Sequence, residues 1–235
     1  MTRTATLRAV AACLALAAAT GCASGGPPHT FRHHPQERGV PGKVSRLPAG
    51  TRQAIVVAGP SLAATTAELT AYERRGDGWH RVRGPAPVRI GRNGFTWRPR
   101  EGAGATPAGV FALPLAFGWA DPGTRLPWRT ATADSWWVDD PTSPLYDTWQ
   151  DGPAAGRWKS AERLRITPYR LAVSIATNPG HVPYGGSAIF LHLPIGDATE
   201  GCVTVDEDTL RWLLGWLDPA ARPRAVMGPA ADLNR

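Results

Sequence analysis

Two apolar runs stand close together late in the chain, 169–177 (YRLAVSIAT) and 187–193 (SAIFLHL). Only a Gly/Pro-rich loop, NPGHVPYGG, lies between them. Neither run alternates apolar with polar residues, which is the pattern of strands buried at the centre of a sheet. Shorter candidates surround them. QAIVVAG (53–59) reads as a strand, and AELTAYERRGDGWHRVRG (67–84) as a hairpin around a Gly-Asp-Gly turn. PVRIGRNGF, ATPAGVFAL, WWVDDP and RAVMG each read as a strand beside a turn. Gly (26) and Pro (23) fill roughly a fifth of the 235 residues, which favours a turn-rich, strand-based fold over a helix bundle. One segment breaks the pattern. VDEDTLRWLLGWLDP places Leu210, Leu213, Leu214 and Leu217 at helical spacing, with acids in the first turn and Pro219 as the stop. The expectation is one mainly β domain over 52–229 with a late helix, and a tail over 230–235.

The start of the chain reads differently. Residues 1–21 carry Arg3 and Arg8, then a run of alanines and leucines about half as long as the roughly 20 residues of a membrane span. The run ends in AATGC, small residues directly before Cys22. This resembles the lipobox of bacterial lipoproteins, although Ala19 stands where Leu is usual; the other reading is a plain secretory signal. The expectation is an exported protein of the cell envelope, anchored to the membrane by lipidation at Cys22. Residues 22–51 are rich in Gly, Pro and polar residues and read as a flexible linker; its HHP at His33 lacks a third ligand for a metal. Removing residues 1–21 takes two of 26 basic residues and leaves all 19 acidic ones. A basic exported protein suits an anionic wall polymer. The charges are scattered without a Lys/Arg block, so nucleic-acid binding is not expected.

Cysteine is scarce. Cys13 lies in the signal and Cys22 at the tether, leaving Cys202 as the one thiol of the folded part. In an oxidising compartment a lone thiol is either buried and inert or kept for its chemistry. The segment LHLPIGDATEGCVTVD sets His192 at a strand end and Cys202 ten residues later, after a Gly/Asp loop. A loop of that length can bring the two side chains together. Gly201 permits a tight turn with φ > 0 that would aim backbone N–H groups at one point, as an oxyanion hole requires. An imidazole in hydrogen-bond reach would draw the thiol towards thiolate. Ordinary core histidine and core cysteine explain the same two residues.

The stretch GSAIFLHLPIGDATEGCVTVDEDTLRWLL, with the upstream GATPAGVFAL, resembles the YkuD-type L,D-transpeptidase catalytic domain. The resemblance spans roughly 52–228 and is sharpest over 186–217. It implies a β-sandwich with a short helix after the catalytic cysteine. His192 matches the general base and Cys202 the nucleophile. Thr199 matches the family's Ser/Thr, Gly201 its Gly before the Cys, and Thr106–Gly109 its Thr-Pro-x-Gly turn. Two positions depart: Glu200 stands where a second His is usual, and Thr204 and Val205 stand where an Arg or Asn is expected. His181 is a candidate to replace that His in space, and Tyr184 and Asn178 are candidates to line a substrate groove. The implied activity is acyl transfer through a Cys202 thioester on peptidoglycan tetrapeptide stems, for cross-linking or remodelling of the wall. The alternatives are carboxypeptidase trimming of stems and a non-catalytic wall-binding lipoprotein of the same fold. No metal or other cofactor is expected. The expected partners are stem peptides and the membrane holding the lipid anchor, and the expected state is a monomer.

Overall fold

The structure is a computed structural model and describes residues 39–235. The signal segment, Cys22, His33 and the linker up to residue 38 lie outside the described residues. In chain order the strands are β1 (Gln53–Gly59), β2 (Thr66–Arg75), β3 (Gly78–Arg89), β4 (Phe95–Thr96), β5 (Thr106–Pro107), β6 (Gly109–Ala112), β7 (Ala116–Gly118) and β8 (Trp128–Thr130). They continue with β9 (Ser135–Val138), β10 (Trp149–Asp151), β11 (Ala161–Arg163), β12 (Leu171–Ser174), β13 (Phe190–His192), β14 (Val203–Thr204) and β15 (Arg224–Pro229). The helices are α1 (Gly42–Ser45), α2 (Glu207–Trp216) and α3 (Ala230–Leu233).

Ten strands form one mixed sheet in the order β6-β15-β1-β2-β3-β14-β13-β12-β7-β8, and β10-β9-β11 form a small second sheet. The architecture is mainly β with a late helix, as the composition and the two apolar runs suggest. Those runs become β12 and β13, paired antiparallel near the middle of the large sheet, and every residue of both strands is buried. Their alternate residues serve two different cores, which is why the runs carry no polar face. Leu171, Val173 and Leu191 join Ile55, Leu69, Val203 and Met227 in one cluster, so both halves of the sheet share it. Ala172 and Phe190 face the other way, into a smaller aromatic cluster with Phe117, Trp149, Tyr169 and Cys202.

α2 closes the first cluster. Leu210, Leu213, Leu214 and Leu217 are all fully buried, as their spacing predicts. Asp206 caps the helix by accepting from the Thr209 N–H at 2.8 Å. Glu207 and Asp208 sit in the first turn, where the helix dipole favours them.

The ends of the domain lie further out than expected. Residues 40–51 do not continue as linker, and 230–235 do not hang free. Val44 and Leu47 from the α1 region and Leu233 from α3 are buried in a third cluster with Ala54, Val56, Tyr72 and Val226. The physical reason is that β1 is apolar on both faces: Ile55 and Val57 fill the main core, while Ala54 and Val56 need a second cover. The two short helices supply it. Replacing Leu233 with Ala should cost about 2–5 kcal/mol, read as a fall in the urea midpoint; a free tail would lose nothing measurable.

Candidate active site

Cys202 and His192 come to one face of the sheet through a parallel pairing. β14 lies beside β13 with Leu191 opposite Val203 and His192 opposite Thr204. Paired residues of neighbouring strands point to the same face. Leu191 and Val203 therefore share the main core, and Phe190, His192 and Cys202 share the opposite face. On that face His192 also pairs with Ala172 of β12. The imidazole is buried, and its Nδ1 lies 2.7 Å from the Leu193 carbonyl. A carbonyl only accepts, so Nδ1 carries the proton, and in the neutral ring Nε2 is left as an acceptor. Burial holds the imidazole down from its ordinary 6.5 to about 4, against the opposing pull of the Leu193 carbonyl.

The thiol has its own seat. Cys202 Sγ donates to the Ala188 carbonyl at 3.3 Å and accepts from the Phe190 N–H at 3.3 Å. Among the described residues no hydrogen bond joins it directly to His192. Tyr169 neighbours both. Its ring meets the His192 ring edge-on at 4.8 Å, and its phenol interacts with the Cys202 side chain. Burial, then the charge of Glu162, push the thiol well above its ordinary range, while the Phe190 N–H and Tyr169 act the other way. At neutral pH the site thus holds a neutral thiol beside a neutral imidazole.

Two carboxylates complete the surroundings, both from or beside the small sheet. Glu162 of β11 accepts a hydrogen bond from the Tyr169 hydroxyl, and burial raises it to about 7. Asp147 accepts from Trp137 Nε1 at 2.7 Å and from the Ala188 N–H at 3.1 Å, and burial raises it to about 6. Ala188 has φ 53°, an uncommon conformation for a residue with a side chain, and the Asp147 bond helps hold it there. The sequence reading missed Tyr169, Glu162 and Asp147. None belongs to a motif, and they converge only through the packing of the small sheet on the aromatic cluster.

The loop before Cys202 is built by Thr199, Gly201 and Thr106. Thr199 Oγ1 donates to the Cys202 carbonyl at 2.6 Å and accepts from the Gly201 N–H at 3.1 Å. Gly201 has φ 142°, and a Cβ there would come within 2.9 Å of Ile189 Cδ1 and 3.1 Å of the Ala105 carbonyl. Thr106 Oγ1 donates to the Gly201 carbonyl at 2.8 Å and accepts from the Gly91 N–H at 2.9 Å. The Thr-Pro-x-Gly turn is thus bonded to the cysteine loop.

These bonds give three of the expected site residues a place in the turn and the loop. Gly201 supplies the backbone conformation of the turn, and its N–H donates to Thr199 Oγ1. Thr199 is buried with its hydroxyl used twice by the turn, so it shapes the loop. Asn178 is buried too, and its amide binds the Val182 carbonyl, the Gly186 carbonyl and the Val182 N–H, bracing the 178–186 loop. Tyr184 of that loop is 59% exposed and open to solvent. His181 is exposed on the same loop, and its charge acts on Asp147. Glu200 points outward and pairs with Arg92 at 2.7 Å, in a surface ion pair of the kind that contributes little.

Residues 60–226 match the family model of the YkuD L,D-transpeptidase catalytic domain, and the chain belongs to that family. No curated protein matches it. Among solved structures it is similar to the helical cell shape determining protein Pgp2 from Campylobacter jejuni, at 13% identity and a TM-score of 0.38. That similarity covers 76% of this chain and 48% of the other, so this chain spans about half the length of that structure.

Replacing Thr106 with Val orphans a buried N–H and unclamps a buried carbonyl. The expected cost is about 1–3 kcal/mol for the stranded group; a parent-like urea midpoint would refute the clamp. His192 gives a pH signature. Between its ordinary 6.5 and about 4 the unfolded chain holds the imidazole proton and the folded chain does not. The contribution of His192 to stability is therefore complete above about 6.5 and is lost as pH falls towards 4. Imidazole NMR should show one ring that stays neutral through pH 5, assigned by its absence in His192→Gln.

Proposed function

We propose that this protein is an exported, cysteine-dependent L,D-transpeptidase that acts on peptidoglycan tetrapeptide stems. The observation that carries the reading is the shared face of adjacent parallel strands on which His192 and Cys202 lie, with Nε2 left as the imidazole's acceptor. In the reaction the thiol gives its proton to His192 Nε2, and Sγ attacks the carbonyl between the L-centre of the stem's diamino acid and the terminal D-alanine. The tetrahedral intermediate collapses, and the imidazolium returns the proton to the leaving D-alanine amine. A thioester on Cys202 remains. An amine of a second stem then attacks it, forming the cross-link and restoring the thiol; water in place of the amine gives carboxypeptidase trimming. No metal or cofactor takes part in these steps. Neutral imidazole and neutral thiol are the starting states that such a transfer needs.

Substrate reaches Cys202 past the 178–186 loop, where exposed Tyr184 is the proposed contact. The basic balance of the chain suits an anionic wall, and the proposed location is the cell envelope, facing that wall, with Cys22 as lipid anchor. The resting hydrogen bond of the thiol to Ala188 favours a second reading, a wall-binding protein whose thiol stays latent.

Intact-protein mass spectrometry with a tetrapeptide-stem muropeptide separates the two. The expected result is a mass gain equal to the stem without its last D-alanine, absent in Cys202→Ala. His192→Gln should slow adduct formation by about 10²–10⁴-fold, the usual worth of a general base. Binding of the muropeptide without adduct or released D-alanine would replace the enzyme reading with the binding one.

A further inference from the structure

Beside the turn that presents Cys202 lies a cleft of about 460 Å³. It is lined from β4 and its flanking loops, by Thr96, Arg98, Arg100, Glu101 and Ala105 among others. Two contacts tie it to the thiol. Ala105 packs on Gly201, the residue before Cys202, where a Cβ would lie 3.1 Å from the Ala105 carbonyl. Glu101 accepts from the Ser187 hydroxyl at 2.8 Å, and Ser187 precedes Ala188, whose carbonyl takes the Cys202 S–H. Residues of the cleft thus touch both segments that seat the sulfur. A third contact reaches the proposed substrate route, since the Glu101 N–H donates to the Tyr184 carbonyl at 3.0 Å.

Charge in this cleft is unbalanced. Arg98 and Arg100 are exposed, and among the described residues neither guanidinium makes an ion pair or a hydrogen bond. The acid of the lining, Glu101, is already engaged, because Tyr146 and Ser187 both donate their hydroxyls to its Oε2. Arg92, packed over Gly104 near by, is paired with Glu200. The frame around the two arginines is braced. Asn93 binds the Gly104 carbonyl through its N–H at 2.8 Å and the Ala103 carbonyl through its side-chain amide at 2.9 Å. The Arg98 N–H donates to Thr96 Oγ1 at 3.1 Å. Guanidiniums left without partners present planar donor forks, which match a carboxylate in shape and charge.

We infer that this cleft is the carboxylate subsite of the acyl donor: Arg98 and Arg100 bind the free C-terminal carboxylate of the peptide whose carbonyl Cys202 attacks. The inference rests on the reading of Cys202 as the nucleophile and adds the residues that select the donor. In a tetrapeptide stem that carboxylate belongs to the terminal D-alanine, one residue beyond the attacked carbonyl. A peptide ending there is held with its last amide beside the cysteine turn. A longer peptide carries its carboxylate a residue further on, and a C-terminal amide carries no charge. Either leaves both guanidiniums solvated and gains nothing from them.

The test is calorimetric binding to the full chain carrying Cys202→Ala, which needs no turnover. The probe is a disaccharide-tetrapeptide muropeptide, set against the same molecule with its C-terminal carboxyl made an amide. Amidation should weaken binding about tenfold or more, the usual worth of hydrogen bonds to a charged group. Arg98→Gln combined with Arg100→Gln should cost the free-acid probe about as much. The coupling between the two changes decides: in that double variant, acid and amide should bind within about twofold of each other. Both side chains are exposed, so its urea midpoint should stay at the parent's. Equal binding of acid and amide where both arginines are present would overturn the inference. So would discrimination that survives in the double variant, or a muropeptide that does not bind at all. The fate of the thiol is read separately. An acyl adduct on the chain with Cys202 intact, beside binding that ignores the carboxylate, would leave the transpeptidase reading and remove the subsite. Carboxylate-dependent binding through the two arginines without an adduct would do the reverse.

Discussion

The pairing of β13 with β14 is the constraint from which the rest of the site follows. Parallel neighbours usually need a crossover of a dozen or more residues, often with a helix. Here the link is only the loop between His192 and Val203, with no helix in it. So short a return holds its register because the loop is itself tied to the sheet. Thr199 makes a parallel bridge with Gly91, receiving from the Arg92 N–H and donating to the Ile90 carbonyl. Thr106 then joins Gly91 to Gly201 through one hydroxyl. With register set, the two-residue alternation of strands decides which side chains meet. A slip of one residue would send Cys202 into the main core and Val203 into the aromatic cluster.

That aromatic cluster decides the electrostatics. Cys202 and Tyr169 are walled in by rings, with half-buried Glu162 at the edge, and burial penalises the charged form of each. The imidazole moves down, and the thiol, phenol and carboxyl move up. The imidazole, thiol and phenol rest neutral, and the carboxylate of Glu162 is the charge that opposes the thiolate. Proton position becomes a matter of local hydrogen bonds, and those are fixed by backbone atoms: Leu193 carbonyl for the imidazole, Ala188 carbonyl and Phe190 N–H for the thiol. Outside the pocket the balance is different. The surface ion pairs Arg92–Glu200, Arg129–Asp151 and Arg89–Asp197 are exposed and contribute little.

What could be read beforehand was whatever the chain encodes locally. The continuous apolar runs gave β12 and β13, the leucine spacing gave α2, and the rare His and Cys stood out as candidates that the strand register puts on one face. What could not be read was the set of partners brought from elsewhere in the chain. Glu162 and Tyr169 sit in segments with no motif, and their meeting depends on how β9, β10 and β11 fold over Phe190. Thr199 and Asn178 were read as substrate contacts because polar residues near a site suggest binding. Their hydrogen bonds are spent on backbone, a role that short polar side chains in turns commonly take and that spacing does not reveal. The linker boundary was misplaced for a related reason. Gly- and Pro-rich composition hid Val44 and Leu47, whose burial is demanded by the second apolar face of β1.

The change at Glu200 gains its meaning from this separation of scaffold and chemistry. The turn that presents Cys202 is held by Thr199, Gly201 and Thr106, and none of its bonds runs through the side chain at 200. That side chain leaves the turn outward, to Arg92. A residue there is free to vary without disturbing the cysteine, provided its backbone keeps the turn. Tyr169 and Glu162, joined by a hydrogen bond beside the aromatic cluster, come from elsewhere, from the 3₁₀ turn Thr167–Arg170 and from β11. The turn's scaffold and the surroundings of Cys202 thus come from different segments, one bonded through backbone and hydroxyls, the other through a phenol and a half-buried acid. Divergence on the outer face of the loop therefore leaves the inner arrangement intact, and the residues that distinguish this chain's chemistry are to be sought where the small sheet covers Cys202.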